Sequence, residues 1–402
     1  MTARTRLWVL VVSSPVIAFT LIGGYLGQAM TRDETLRSLR VFEDVMQLVV
    51  DNYVEDVDVR KAMRGAMRGL TDGLDVDSSF LSPDLVKAFE SKDTPAAGEI
   101  GVELARGYYL RVVSARDGSP AVKAGIRTGD YIRAIDGKST RDMSAFEGAR
   151  LLRGSPGSKL TLLMIRGNAA EPHELAVNRD RLTGAEVTSR MANASTGYVR
   201  VVEFTANSPA RIKQAVDALA KTGATRYVID IRGTSRGDLD EGVAAARLFV
   251  RNNTLTVRMS RDPLARADAK DKTKKETIAA QATDNAITAP VVLLVDSGTS
   301  GPAEVFAAAL DGNNRADLVG ERTIGRAARQ QLVKLQDGSG LLLTTVRYLT
   351  PSSVAIHEKG LTPDVHVPEP DVDFGADPPA SDPALEKAIE RLSQPQPQKQ
   401  AA

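Results

Sequence analysis

The residues best placed to do chemistry lie between Val291 and Gln330, in VVLLVDSGTSGPAEVFAAALDGNNRADLVGERTIGRAARQ. Hydroxyls stand at Ser297, Thr299 and Ser300 in a glycine-rich turn, Asp296 to Pro302. An apolar run, Val291 to Val295, precedes the turn, and an apolar segment, Ala303 to Leu310, follows it. The run reads as a buried strand and the segment as a helix whose start Pro302 marks. A strand that delivers a small-residue turn onto a helix N-terminus is where many enzymes set a nucleophile and an oxyanion hole, because free backbone N–H groups point there. A second apolar pair, Leu318 and Val319, ends in the turn Gly320-Glu321-Arg322-Thr323.

Other chemistries are sparsely provided for. The chain has no cysteine, which removes disulfides, thiolate metal sites and cysteine nucleophiles together. It has three histidines: His173 in a polar turn, His366 in the alternating run DVHVPEP, and His357 in IHEKGLTPD, where a structural role is expected. Asp72, Asp75 and Asp77 lack the bidentate glutamate of a calcium loop and read as a solvated turn and helix cap, so no metal or cofactor is expected. With 52 basic and 51 acidic residues the net charge is +1, and no field favours nucleic acid.

On these residues the segment resembles the core of the carboxyl-terminal processing peptidases, or tail-specific proteases. Their motif is Ser-Ala-Ser-Ala-Ser-Glu on such a turn, and their mechanism pairs the middle serine with a lysine in a following Gly-Lys-Gly turn. Aligned through Glu304, the family serines fall on Thr299, Gly301 and Ala303, so Gly301 takes the nucleophile position. The lysine falls on Arg326 in Ile324-Gly325-Arg326, at the family's own spacing, and Gln330 matches a glutamine that orients the lysine. The family's Asp-Leu-Arg-Asn-Asn-Pro-Gly-Gly, whose glycine N–H helps hold the oxyanion, corresponds to Asp230 through Gly237. Arg232 is kept, Arg236 replaces the first glycine, and Gly237 keeps the second. The oxyanion-equivalent positions are thus Arg236, Gly237 and Pro302, with a bulky cation expected near the hole. Glycine offers no nucleophile, and arginine stays protonated at physiological pH, so it cannot serve as the base. The resemblance therefore implies the architecture without the family's mechanism. The alternative is a shifted nucleophile at Ser300, whose hydroxyl points differently from one at Gly301 and needs a new base.

The elements that must position these residues follow from the rest of the chain. The run Leu7 to Leu26 follows Arg4 and Arg6. At about 1.5 Å per residue it can cross a hydrocarbon core of about 30 Å. It reads as an uncleaved anchor with its N-terminal side cytoplasmic. The other reading is a signal peptide cut after Gly27-Gln28-Ala29. Residues 33 to 90 read as helical, and Thr71 to Leu81, TDGLDVDSSFL, resembles the family's Leu-Asp-Pro-His-Ser-Ser-Tyr-Leu segment. From Gly98 to Arg181 the text resembles a PDZ domain of the circularly permuted bacterial type, through Ser119-Pro120-Ala121, Gly129-Asp130-Tyr131 and Asp136-Gly137. Such a domain implies a peptide strand added to a free edge. Its carboxylate would meet Glu99, Ile100, Gly101 and Val102, with Ile100, Val102, Phe146 and Leu151 as apolar walls and Glu99 as an unfavourable neighbour. Gly197 to Phe204, Pro209 to Thr222 and Tyr227 to Arg232 give a βαβ pattern. Ser260 to Asn285, charged and poor in large apolar residues, reads as a solvated loop or loose helix, and the chain beyond Phe374 as a mobile tail carrying a short helix.

The expected fold class is a multidomain α/β protein. It comprises an N-terminal membrane anchor or signal segment (1–30), a helical segment (31–95), a PDZ-like β-rich domain (96–181), a ClpP/crotonase-like α/β protease core (182–372) and a Pro/Gln-rich tail (373–402). The expected function is that of a membrane-tethered protein of the bacterial cell envelope. It would be inner-membrane anchored with its body in the periplasm, or secreted if the segment is cleaved. It would bind unfolded or C-terminal segments of exported proteins and scaffold or regulate an active protease relative.

Overall fold

The computed structural model describes residues 36–91, 97–167, 171–265, 269, 271–281, 287–370, 372, 374, 376, 379 and 381–394. The run Leu7 to Leu26 lies outside them. Among the described residues no helix is long and apolar enough to cross a membrane. The chain divides into two compact units, residues 1–69 with 261–274, and residues 70–260 with 275–402. In the first, a helix over 36–52 leaves Leu36, Leu39, Val45 and Leu48 exposed.

The larger unit is built on a sheet ordered Val365–His366, Ala316–Gly320, Val291–Val295, Arg226–Asp230, Thr196–Val201 and Val187–Met191. All neighbours run parallel except the last pair. Parallel strands need both faces covered, and the period of two supplies two apolar faces. Tyr227, Ile229, Val291, Leu293 and Val295 join the core with Ile212, Val216, Val243 and Phe306, from the helices Ser208–Lys221, Leu239–Ala246 and Pro302–Asp311. The alternate residues Val228, Val292 and Leu294 meet Ala388 and Leu392 of the helix Pro383–Ser393. That helix, expected within a tail, is therefore a layer of the core.

A second sheet pairs Gly340–Leu349 with Ala328–Lys334 and with Ser79–Leu81. The latter strand corrects the all-helical reading of residues 33 to 90: Phe80 and its neighbours gain backbone partners from Leu341 and Leu342 that an exposed helix would not provide. Thr273–Ala279 is likewise a strand where a loop or loose helix was expected, because its solvated face can carry the charged residues. His173 opens the strand His173–Asn178 rather than lying in a turn.

The PDZ-like part is a sheet ordered Val102–Ala105, Leu110–Ala115, Tyr131–Ile135, Lys159–Ile165 and His173–Asn178, with the helix Ala145–Leu152 packed on it. Val102–Ala105 is its edge strand. Ile100 and Val102, expected as groove walls, are instead buried in this domain's own core with Leu110, Val112 and Ile132. The correction has a simple cause: a domain this small has few large apolar side chains to spare from its centre.

At the carboxyl end of the strand Arg226–Asp230, the fully buried Asp230 accepts from Tyr198 Oη at 2.7 Å and from Arg232 Nη2 at 2.6 Å. Arg232 also reaches both oxygens of Asp382, the N-cap of the last helix, at 3.0 and 2.7 Å. Burial pushes the Asp230 carboxyl up, but the Arg200 and Arg232 charges outweigh it and hold it below the usual value. A carboxyl depressed in the folded state contributes stability that is complete above about pH 4 and is lost as the pH falls through its folded value. Replacing Asp230 by Ala leaves Arg232 with Asp382 and Arg200 with Asp117 but removes the buried acceptor between them, and should cost about 1–3 kcal/mol. Urea unfolding at neutral pH measures this loss, and the gap between variant and wild type should close on acidification.

Candidate functional site

The turn after Val291–Val295 is shaped by its own first residue. Asp296 Oδ1 accepts from Gly233 N at 2.8 Å, Gly298 N at 3.0 Å and Thr299 Oγ1 at 2.8 Å. The turn ends at Gly301, which caps the helix Pro302–Asp311 with φ 58° and ψ −117°. This left-handed backbone suits glycine. A Cβ placed there would still find room, 3.5 Å from Ser235 O and 3.9 Å from Leu239 Cδ2.

Glu304, wholly buried one turn into that helix, holds the site together. Its Oε2 accepts from Gly301 N at 3.1 Å and Arg326 N at 2.7 Å. Its Oε1 accepts from Gly325 N at 2.7 Å and Thr323 Oγ1 at 2.5 Å. Burial pushes this carboxyl up to about 7 against the pull of the donated hydrogen bonds. One side chain thus ties Gly301 to the turn that carries Arg326, across the gap where the family places its serine and lysine.

The Arg326 side chain does not face a hydroxyl. Its Nε and Nη2 bind Asp77 Oδ1 at 2.8 and 2.5 Å, and its Nη1 donates to Leu104 O at 3.1 Å. Asp77, expected in a solvated turn, is buried. Asp75 does form that turn, accepting from Asp77 N at 3.0 Å and Ser78 N at 2.7 Å. Gln330 shares a cleft with Arg326, Asp77, Glu103 and Phe146, but its amide donates to Thr344 Oγ1 at 3.2 Å rather than orienting Arg326. Phe146 meets Phe89 edge to face at 5.2 Å, and Leu151 packs partly buried against the PDZ-like core.

Arg236 is also committed. Its guanidinium binds Glu99 at 2.5 Å and Glu103 at 3.0 Å, so Glu99 is already neutralised where it was expected to face a ligand carboxylate. Gly237 has φ 122°, and a Cβ there would collide with the Phe204 carbonyl. Pro302, next after Gly301, has no N–H to offer an oxyanion. That loss, a matter of residue type alone, was readable from the sequence and was missed. Asp77 and Glu304 were missed too. The signal for Asp77 was an acid standing where the resembling segment has histidine.

The Ser300 hydroxyl, nearly buried, makes no hydrogen bond among the described residues. His357 is buried with both ring nitrogens unpartnered, and burial lowers its pKa. The arrangement therefore joins Gly301 to Arg326 through backbone donors and leaves Ser300 without a bonded base.

Known proteins resemble this chain along most of its length. The sequence model of Peptidase family S41 matches residues 195–367, and that of the PDZ domain matches residues 111–166. The carboxy-terminal processing protease CtpA of Bacillus subtilis is 29% identical over 382 residues, 92% of this chain and 79% of that protein. The chloroplastic C-terminal processing peptidase of Tetradesmus obliquus is 32% identical over 337 residues, 79% of this chain and 70% of its own length. Among solved structures, the photosystem II D1 C-terminal processing protease superposes with a TM-score of 0.67 at 29% identity, covering 88% of this chain and 91% of that one.

The ion pairs at Arg236 make a direct prediction. Arg236→Ala should leave Glu99 and Glu103 without their main partner and cost about 1–3 kcal/mol. Hydrogen exchange should rise in residues 99–105, while the Val291–Val295 strand stays protected. Unchanged exchange at the edge strand would mean that the pair holds nothing in place.

Proposed function

The chain belongs to peptidase family S41, and from that premise we propose that it is a member without the family's serine/lysine catalysis, which binds C-terminal or unfolded segments of exported proteins without cutting them. The observation that carries this reading is the pair at the dyad positions, a glycine beside a guanidinium held by Asp77. A lysine amine can lose its proton and take one from serine, whereas a guanidinium paired with a buried carboxylate keeps its own. The substitutions at Arg236 and Pro302 support the same reading, since each alters a place where an oxyanion would be received. In this reading the PDZ domain presents the segment, and Leu7 to Leu26 tethers the body to the bacterial inner membrane on its periplasmic side. An active protease relative is the partner that such a binding protein would scaffold or regulate.

The competing enzyme reading, with Ser300 as nucleophile, gains no bonded base from the geometry. Incubating the soluble body with unfolded and tail-tagged proteins separates the two. No cleavage is expected, and cleavage abolished by Ser300→Ala would refute the proposal.

Reconstruction tests the same reading from the other side. Gly301→Ser with Arg326→Lys should remain silent, because Asp77 holds the new lysine charged and Pro302 still withholds its N–H. Adding Asp77→His and Pro302→Ala should bring detectable peptidase activity, with the Pro302 change alone contributing about 10²–10³-fold. Full activity in the double variant would show that the remaining substitutions are neutral.

A further inference from the structure

Several arginines of the larger unit are paired with a carboxylate: Arg116 with Glu203, Arg166 with Asp130, Arg200 with Asp117, Arg232 with Asp230, and Arg391 with Asp317. A cluster of cations without a carboxylate partner among the described residues lies on another side of the 296–301 turn. Arg111, from the PDZ strand Leu110–Ala115, and Arg322 and Lys359, from the core, line an open cleft of about 580 Å³ with Ser297, Thr323, Ile324 and Glu358. Among the described residues no carboxylate pairs with Arg111, Arg322 or Lys359. Arg322 Nε donates to Lys359 O at 2.8 Å, which fixes that guanidinium to the main chain without neutralising it. Glu358, the carboxylate in the lining, is compensated by Arg347 at 3.4 Å.

The dyad side of the turn has the opposite character. There the PDZ edge strand meets Arg236 and Arg326, whose charges are used by Glu99, Glu103 and Asp77, and the Leu104 carbonyl is occupied. A ligand carboxylate arriving at that edge meets like charge whose counter-ions are already engaged. At the cleft by Ser297 three cations converge without a carboxylate partner among the described residues, and its volume is within the usual range for a ligand site.

We propose that this cleft receives the carboxylates of an acidic protein C-terminus, so that the segments bound are those ending in aspartate or glutamate. The inference rests on the reading that the chain binds C-terminal segments, and it names their chemical class. Arg111 and Arg322 offer forked donors that match a carboxylate, Lys359 adds a point charge, and the Ser297 hydroxyl adds a neutral donor. Ile324 supplies an apolar wall for the chain that carries them.

The test is fluorescence anisotropy with dye-labelled peptides ending in aspartates, their amidated forms, and neutral peptides of equal length. The soluble body should bind the acidic peptide at least about tenfold more tightly than the neutral one, and the preference should fade as salt rises toward about 0.5 M. Arg111→Glu with Lys359→Glu should remove the preference, and the milder Arg111→Gln should weaken it while melting as wild type. Equal binding of acidic and neutral peptides, unmoved by these variants, would overturn the inference and leave the binding reading standing. Failure of every peptide to bind would overturn both.

Discussion

A wholly buried carboxylate must be satisfied, and Glu304 is satisfied by backbone rather than by reactive side chains. Its partners are the N–H groups of Gly301, Gly325 and Arg326 and the hydroxyl of Thr323. The register of the two turns therefore depends on an acid one helical turn past Gly301 and on peptide groups that every residue except proline carries. The side chains at 301 and 326 can change without loosening the cradle. The architecture and the chemistry are held by different atoms, and this is how a chain can keep the S41 fold with a glycine and an arginine at the dyad positions.

The arginines impose a second constraint. A partly buried guanidinium needs a counter-ion, and removing one partner of such a pair is far costlier than never having built it. Arg326 comes with Asp77, and Arg236 comes with Glu99 and Glu103. Each contact also crosses between parts of the fold: Asp77 lies just before the strand Ser79–Leu81, while Glu99, Glu103 and Leu104 belong to the PDZ edge. The substituted positions thus act as fasteners between the core and its neighbours. Further polar links, Ser114 with Ser235 and Asp117 with Arg200, run along the same boundary. The PDZ domain is thus joined to the core at this boundary by charge and hydroxyl pairs.

Apolar periodicity made the scaffold readable: Val291–Val295 is a strand where a continuous apolar run announced it. Proline after a glycine marked the helix starting at Pro302. Family resemblance supplied Gly301 and Arg326 because a motif is a local pattern. The partner of Arg326 could not be found that way, since Asp77 is 249 residues away and only folding brings the two together. Short or solvated strands such as Ser79–Leu81 and Thr273–Ala279 escaped because they bury too little to leave a pattern. Ile100 and Val102 were misassigned for the opposite reason, as apolar residues near a groove look the same in sequence as apolar residues beneath it.

These pairings divide the surroundings of the turn electrically. On the dyad side every cation is matched, so the local field is small although many charges are present. At the Ser297 cleft Arg111, Arg322 and Lys359 have no carboxylate partner among the described residues, and their field reaches into solvent over about a Debye length of 8–10 Å. A flexible acidic chain end is drawn along such a gradient before any specific contact forms. On the proposed reading, the compensated side holds the PDZ domain in place while the uncompensated side recruits a ligand. A glycine at 301 and an arginine at 326 need not, on the proposed reading, leave the site without function. On that reading fixed charge stands where transition-state chemistry would, and fixed charge is suited to holding a carboxylate rather than to cleaving a peptide bond.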